Sequence, residues 1–322
     1  MTDNSSKDST NKPLILVDGA TGYLGNHLIA KLVQAGYRVR CLVHSGSREA
    51  DLDFLRSLTG DIVQADFSES GRGISSQVFD SVYCLVHLIG SIAPKKGETL
   101  VQLHAEITAK LVEPAGKANL PRIVHVTALG ARPDAPSQYH RSKWQAEEVV
   151  RNSGIAHTIL RPSLIMGRTC GSRDSKLVRR LFEFINKKPY VPLVNGGKNR
   201  LQPIFVDDVA DAIVASVESD SVDNVIELGG SQVLEMRELV ARLANRSNKK
   251  AKILPLPPAF ARGIASVMEK VQDVPVLSAD QVVLSLSDNV CQTNGFEALV
   301  GRPPLELDRV VETYDDQYIE SL

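Results

Sequence analysis

A short apolar segment that runs directly into three evenly spaced glycines constrains this chain more than any other feature. Leu14–Asp18 is apolar up to its last residue, and Gly19, Gly22 and Gly25 follow it. A short run of leucine and β-branched side chains favours a buried strand, whereas Tyr23–Gln34 has the apolar spacing of an amphipathic helix. The sequence therefore predicts a strand, a tight turn and a helix packed closely against that strand.

The same alternation of short apolar runs and helical periods continues along the N-terminal half. Further predicted strands are Arg38–Val43, Asp61–Ala65, Val82–Leu88, Arg122–Thr127 and Ala156–Arg161, and further predicted helices are Leu52–Leu58, Thr99–Ala118 and Tyr139–Asn152. Pro114 is expected to kink or shorten its helix. This order predicts an α/β protein with a Rossmann-type, doubly wound parallel sheet.

The predicted domain boundary lies at Pro162, after which the connections between elements become longer. Residues 1–12 are polar and predict a disordered tail, and residues 13–162 form the predicted nucleotide-binding domain. Residues 163–322 have longer connections rich in glycine and proline, which predict a smaller C-terminal substrate lobe. Phe205–Val217 has the pattern of a helix that packs back against the sheet.

Charge and cysteine content argue against several classes of protein. The formal net charge is −1, which offers no field for nucleic acid. The four cysteines form no Cys-x-x-Cys pair, so we expect neither a disulfide framework nor a metal site, and the chain reads as cytoplasmic. No apolar window has the length of a transmembrane helix.

The glycine turn predicts a dinucleotide site. Gly19 permits the tight turn, Gly22 lets the backbone approach a pyrophosphate, and Gly25 allows close helix–strand packing. The helix N-terminus adds unpaired N–H groups and partial positive charge. The predicted pyrophosphate contacts are Gly19, Thr21, Gly22, Tyr23, Leu24 and Gly25.

Residues that follow the second and third strands bear on the choice of cofactor. NAD-selective sites usually carry an acid at the end of the second strand. Here His44 and Arg48 stand in that region, and Arg48 or Arg40 could bind a 2′-phosphate, which favours NADP(H) over NAD(H). Asp66, after the third strand, could accept a hydrogen bond from the adenine amino group, although a turn-forming aspartate explains it nearly as well.

A tyrosine and a lysine four residues apart form the candidate catalytic pair. Tyr139 and Lys143 share one helical face, and a nearby ammonium group would lower the pKa of the phenol. The phenol could then exchange a proton with a substrate oxygen during hydride transfer. Thr127, at the end of the preceding strand, could hold that oxygen through its hydroxyl.

With these motifs the chain resembles the short-chain dehydrogenase/reductase superfamily. The stretches 161–167, 201–210 and 280–290 are similar to those of atypical members related to the NADPH-binding accessory subunit of respiratory complex I. The resemblance implies that Lys143 also binds the nicotinamide ribose. It places four further residues at the cofactor, which are Leu88, Ile89, Gly90 and Pro162. Two departures are Thr127, where serine is usual, and His44, where NADP-binding relatives often have arginine.

Three functions remain open from the sequence. The first is an NAD(P)H-dependent oxidoreductase acting on a carbonyl or hydroxyl substrate. The second, implied by the resemblance, is an NADPH-binding scaffold or assembly factor without turnover, linked to respiratory or quinone metabolism. The third is a nucleotide-sugar epimerase or dehydratase. The expected partner is a small molecule, and a peripheral contact with a membrane or a respiratory complex stays open.

One further apolar pattern bears on such a contact. In Pro258–Val271 the side chains of Phe260, Ile264, Val267 and Val271 fall on one helical stripe. Core packing is the favoured interpretation of the stripe, and a partner, membrane or lid surface is the alternative.

Overall fold

A seven-stranded parallel sheet forms the centre of the protein. The computed structural model describes residues 12–67, 74–92, 97–171, 173–272 and 277–320. The strands are β1 (Leu14–Asp18), β2 (Arg38–His44), β3 (Asp61–Ala65), β4 (Val82–His87), β5 (Arg122–Val126), β6 (Ala156–Pro162) and β11 (Asn224–Leu228). Their order is β11-β6-β5-β4-β1-β2-β3, and every neighbouring pair is parallel. The predicted doubly wound Rossmann-type sheet is confirmed.

Helices cover both faces of this sheet. The N-terminal helices are α1 (Tyr23–Gln34), α2 (Glu49–Arg56), α3 (Ile107–Lys117) and α4 (Gln138–Arg151). One core cluster joins α1 and α2 to the sheet, and another joins α3 and the end of α4 to its opposite face. The carboxyl ends of β1 and β4 lie side by side in the middle of the sheet, where this topology places ligands.

The chain after β6 builds a second cluster and also returns to the sheet. Its helices are α5 (Lys176–Lys187), α6 (Val206–Glu218), α7 (Met236–Arg246), α8 (Pro258–Val271), α9 (Ala279–Leu284), α10 (Phe296–Val300), α11 (Leu307–Glu312) and α12 (Asp316–Glu320). Its short strands pair as β7 (Ile165–Met166) with β10 (Ile204–Phe205), β9 (Arg200–Leu201) with β12 (Leu234–Glu235), and β8 (Tyr190–Val194) with β13 (Lys252–Leu256). α6 packs against α1, and β11 extends the central sheet beside β6.

The helix that contains Pro114 continues through the proline. α3 runs three residues past Pro114, and the turn before α3 widens into a π-helix at Gln102–Glu106. The predicted tail, except Lys12, is outside the described residues.

The apolar stripe of α8 lies at the surface, so its interpretation as core packing is wrong. Phe260, Val267 and Val271 are 62%, 63% and 80% exposed. The buried face of the helix is instead Ala261 and Ala265, whose small side chains let α8 lie close to its neighbours.

Asp208 fastens the C-terminal segment to the sheet layer. Its buried carboxylate accepts hydrogen bonds from Arg302 Nη2 and from the backbone N–H of Leu305, both at 2.7 Å. Asp208 lies in the first turn of α6, where a negative charge also suits the helix dipole.

We predict that Asp208→Ala lowers the free energy of unfolding by about 2–3 kcal/mol, because a partly buried backbone N–H and the Arg302 guanidinium both lose their acceptor. Urea denaturation measures this change. Exposed Asp220 supplies the control, since Asp220→Ala should stay within about 0.5 kcal/mol of the wild type. Equal effects of the two substitutions would contradict the anchoring role of Asp208.

Candidate active site

The glycine turn leaves no room for side chains. Gly19 has φ +60°, and a Cβ on it would lie 3.1 Å from Leu88 Cβ. A Cβ on Gly25 would lie 2.3 Å from the Gly19 carbonyl oxygen and 2.8 Å from that of Ala20. Gly22 N–H donates to the Gly19 carbonyl at 2.8 Å and closes the turn. The backbone therefore forms a bare cradle at the start of α1, as a pyrophosphate site requires.

Asp18 joins this cradle to the next strand end and was not singled out from the sequence. It is fully buried, and one carboxylate oxygen accepts from the N–H groups of Leu88 and Ile89 at 2.7 and 3.0 Å. The other lies 2.5 Å from His87 Nδ1, whose Nε2 lies 2.8 Å from Thr108 Oγ1. Leu88 and Ile89 are thereby held beside Gly19. An acid ending an otherwise apolar strand was the available signal.

Other residues predicted to bind the cofactor pack against, or form hydrogen bonds with, neighbouring parts of the chain. The Tyr23 hydroxyl donates to the Gly167 carbonyl at 2.7 Å, and burial raises its pKa well above the usual value. Leu24 packs into both the sheet core and the second cluster. Thr21 is partly buried in the turn. Pro162 ends β6, and its carbonyl accepts from Leu129 N–H at 2.9 Å.

The predicted adenosine side contains a flat ring pair. The rings of His44 and Phe67 are stacked, with centroids 6.5 Å apart. His44 Nδ1 accepts from Gly46 N–H at 2.8 Å, which orients the imidazole. Asp66 follows β3 beside Phe67 and is partly buried. These residues share the edge formed by the ends of β2 and β3.

The two candidate arginines differ in position. Arg48 precedes α2 and forms a two-pronged ion pair with Asp51, at 3.0 Å from Nε and 2.8 Å from Nη2. Arg40 lies in the middle of β2, where it binds Asp61 and the Val78 carbonyl. Arg40 is therefore bound away from the carboxyl end of β2, whereas Arg48 lies close to that end.

Lys143 is buried beside the chain that follows β4. It is 3% exposed, and its Nζ donates to the Ile89 carbonyl at 3.3 Å. A Cβ on Gly90 would lie 2.4 Å from that Nζ, so the glycine makes room for the ammonium group. Burial lowers the pKa of Lys143 to about 8, against the opposing effect of Asp18 and Glu147.

Tyr139 lies one turn before Lys143 and is buried. Desolvation raises its pKa to about 12, which is the opposite direction from the lowering expected beside the lysine. Among the described residues, no hydrogen bond joins the two side chains. The ring packs against His104 and His140 at centroid distances of 5.6 and 5.4 Å.

His104 lies in the same cluster as Tyr139 and Lys143 and was not singled out from the sequence. It lies on the π-helix, and its Nε2 accepts from Ser91 N–H at 3.2 Å. Its Nδ1 then donates to Ser142 Oγ at 2.8 Å, while Ser142 Oγ donates to the Tyr139 carbonyl at 2.9 Å. Burial, and next the charge of Lys143, lower its pKa to about 2. A neutral imidazole therefore links the Ser91 loop to the helix that carries Tyr139.

Thr127 belongs to a different cluster in this structure. Its hydroxyl donates to Glu147 Oε1 at 2.8 Å. The fully buried Glu147 also binds Arg161, at 2.8 and 2.6 Å, and Arg151, at 2.7 Å. The structure thus brings Tyr139, Lys143 and Gly90 together but commits the Thr127 hydroxyl to Glu147. The catalytic role of Thr127 stays a prediction.

Asp280 caps the helix that carries Tyr139 and Lys143. Its two carboxylate oxygens accept from Gln138 N–H at 2.6 Å and Tyr139 N–H at 3.0 Å. Ser137 Oγ accepts from His140 N–H at 3.1 Å, so the next N–H of the helix is also satisfied. Because Asp280 lies on α9, this helix is docked at the start of α4.

The fold and this geometry define a dinucleotide-binding protein of the Rossmann type. The chain belongs to the NAD dependent epimerase/dehydratase family, whose model matches residues 15–229. It is 27% identical over 293 residues to the mitochondrial NADH dehydrogenase [ubiquinone] 1 alpha subcomplex subunit 9 of Arabidopsis thaliana, covering 87% of this chain and 71% of that protein.

Solved structures share the fold over nearly the whole chain. UDP-glucuronic acid 4-epimerase from Bacillus cereus, in complex with UDP-glucuronic acid and NAD, matches with a TM-score of 0.70 and 18% identity, covering 96% of this chain and 99% of that one. The NADPH-dependent quinone oxidoreductase QOR2 from Escherichia coli, complexed with NADPH, matches with a TM-score of 0.70 and 20% identity, covering 92% and 98%.

No described helix combines the length and apolar character needed to span a bilayer. No group of three or more histidine, cysteine or acidic side chains among the described residues is arranged to hold a metal ion.

We predict that Gly25→Ala destabilises the protein by about 1–3 kcal/mol, because the added methyl group meets backbone oxygens that cannot move away easily. It should also weaken NADPH binding at least about tenfold. Urea denaturation and calorimetric titration measure both effects. Gly116→Ala is the control, because a Cβ there meets nothing within 4 Å and alanine favours the helix. Unchanged NADPH binding in Gly25→Ala would refute the cradle.

A second prediction concerns pH. The pKa of Lys143 falls from 10.5 to about 8 on folding, so between these values the unfolded chain binds the extra proton and stability rises with pH. The stability of wild type relative to Lys143→Met should increase across this interval, by up to about 3 kcal/mol. Urea midpoints at several pH values test this. A constant difference would contradict the buried, desolvated lysine.

Proposed function

We propose that the protein is an NAD(P)H-dependent oxidoreductase of the short-chain type that acts on a carbonyl or hydroxyl substrate. The observation that carries the proposal is the buried Lys143 ammonium against Ile89 and Gly90, one helical turn from Tyr139 and beside the glycine cradle. Family membership supplies the general chemistry, and the placement of these residues supports its use here.

The residues have separate parts in the proposed reaction. A bound nicotinamide dinucleotide would supply or accept the hydride. The cradle around Gly22 and the start of α1 would hold its pyrophosphate, and Leu88–Gly90 would line its nicotinamide half. Tyr139 would give a proton to the substrate oxygen, and Lys143 would stabilise the resulting phenolate. Asp280 and Ser137 would keep the start of α4 in position.

For the cofactor we propose NADP(H) rather than NAD(H). The support is the absence of an acid at the end of β2, where His44 stands, together with Arg48 nearby. The structural neighbours include proteins crystallised with NAD and with NADPH, so they do not decide between the two.

A second candidate is an NADP(H)-binding scaffold without turnover, in contact with a respiratory complex or a membrane surface. Two observations favour it. The hydroxyl of Thr127 is held by Glu147 instead of being available to a substrate, and the relative from Arabidopsis thaliana is named as a subunit of NADH dehydrogenase. The exposed stripe of α8 would supply an apolar contact surface on a chain that we otherwise place in the cytoplasm.

Turnover decides between these candidates. We predict that purified protein oxidises NADPH with at least one member of a panel of quinones and long-chain and short aldehydes and ketones. Tyr139→Phe should lower kcat by about 100-fold or more with little change in the Kd for NADPH, because general acid catalysis is worth about that factor.

Mass spectrometry of the dinucleotide released on denaturation accompanies this test. Tyr139→Phe with wild-type kcat would refute the proposed acid. Retention of NADPH with no turnover of the whole panel would favour the scaffold, whereas tightly retained NAD(H) would favour epimerase-like chemistry.

A further inference from the structure

The loop after β7 reaches across the molecule to the adenosine side of the cradle. Asn26 Nδ2 on α1 donates to the Cys170 carbonyl at 2.9 Å. A Cβ on Gly171 would lie 2.3 Å from Asn26 Nδ2 and 3.1 Å from a ring atom of Phe54 on α2. The loop therefore lies directly on the first two helices of the nucleotide-binding half.

This contact places Arg173 beside the first turn of α2. Arg173 Nη2 lies 2.8 Å from Asp51 Oδ2, and its Nε lies 3.2 Å from the same oxygen. Asp51 also holds Arg48 through two hydrogen bonds and is 2% exposed. One buried carboxylate thus fixes two guanidinium groups that come from opposite halves of the chain.

Both guanidinium groups are accessible to a ligand. Arg173 and Arg48 share the Asp51 carboxylate, yet their side chains are 44% and 59% exposed. The other acids on α2, Glu49 and Asp53, are both bound by Arg56. Among the described residues, Arg173 Nη1 has no partner, so the guanidinium keeps donors for an anion.

We propose that Arg173 is a specificity-determining residue for the 2′-phosphate of NADP(H), acting beside Arg48. The inference rests on the dinucleotide binding proposed above. The adenosine ribose of a cofactor on this fold lies at the end of the second strand, four residues before Arg48, and a planar guanidinium suits a phosphate group. Asp51 is a positioning residue that holds the two arginines together. A 2′-hydroxyl would gain little from this charge.

The test uses ligands that differ by the phosphate alone. Calorimetry compares adenosine 2′,5′-bisphosphate with 5′-AMP, and NADPH with NADH. Wild type should prefer the phosphorylated ligand of each pair. Arg173→Gln should raise Kd about tenfold or more for the bisphosphate and NADPH, as expected for one charge-assisted hydrogen bond, and leave 5′-AMP and NADH unchanged.

Two other substitutions complete the experiment. Arg179→Gln, on α5 of the same half, should bind all four ligands as the wild type does, because the Arg179 guanidinium binds Glu183 one turn away on the same helix. Arg173→Lys keeps the charge and the fold but loses the planar fork, so it should weaken bisphosphate binding by less than Arg173→Gln does.

Several results would overturn the inference. These are equal weakening of both ligands of a pair in Arg173→Gln, unchanged bisphosphate binding in both Arg173 variants, or a wild type that binds NADH and NADPH equally. The last result leaves the proposed dinucleotide site intact. A wild type that binds no dinucleotide at all overturns the proposed function itself.

Discussion

The buried carboxylate of Asp18 is the interaction on which the arrangement of the cleft depends. Removing a carboxylate from water is costly unless hydrogen bonds replace the lost hydration. Asp18 obtains its donors from Leu88, Ile89 and His87, all at the end of the neighbouring strand β4. This pulls the chain after β4 so close to the turn that a Cβ on Gly19 would lie 3.1 Å from Leu88 Cβ. The glycine is thus required by two constraints at once, its positive φ and the approach of Leu88.

The sequence was informative where one local pattern determines a structure. The spacing of Gly19, Gly22 and Gly25 after an apolar strand predicted the cradle, and alternating periods predicted the parallel sheet. It was uninformative where a role depends on a distant partner. Asp18 needs donors from β4, and Arg173 gains its position only because the loop after β7 crosses to α2. The hydrophobic periodicity of one segment does not predict which distant residues it will contact.

The apolar stripe on α8 is a second case in which the sequence pattern did not determine the packing. Its spacing is correct for a helix with one apolar face, but spacing does not say which face is covered. Ala261 and Ala265 permit a closer approach than Phe260 or Val267 would, so the face with small side chains is the buried one. The larger apolar side chains are left at the surface. Their exposure depends on tertiary packing, which a hydrophobic pattern in the sequence does not predict.

The protonation states of Tyr139 and Lys143 are compatible with the proposed reduction of a carbonyl. With a pKa of about 12, the phenol is protonated at neutral pH. This is the form that donates a proton to the oxygen of a carbonyl as it is reduced, whereas oxidation of an alcohol requires the phenolate as acceptor. Lys143, with a pKa of about 8, retains most of its charge at pH 7 and can stabilise the phenolate after donation. In the proposed reaction, the charge of Lys143 would therefore offset the cost that desolvation adds to forming the buried phenolate.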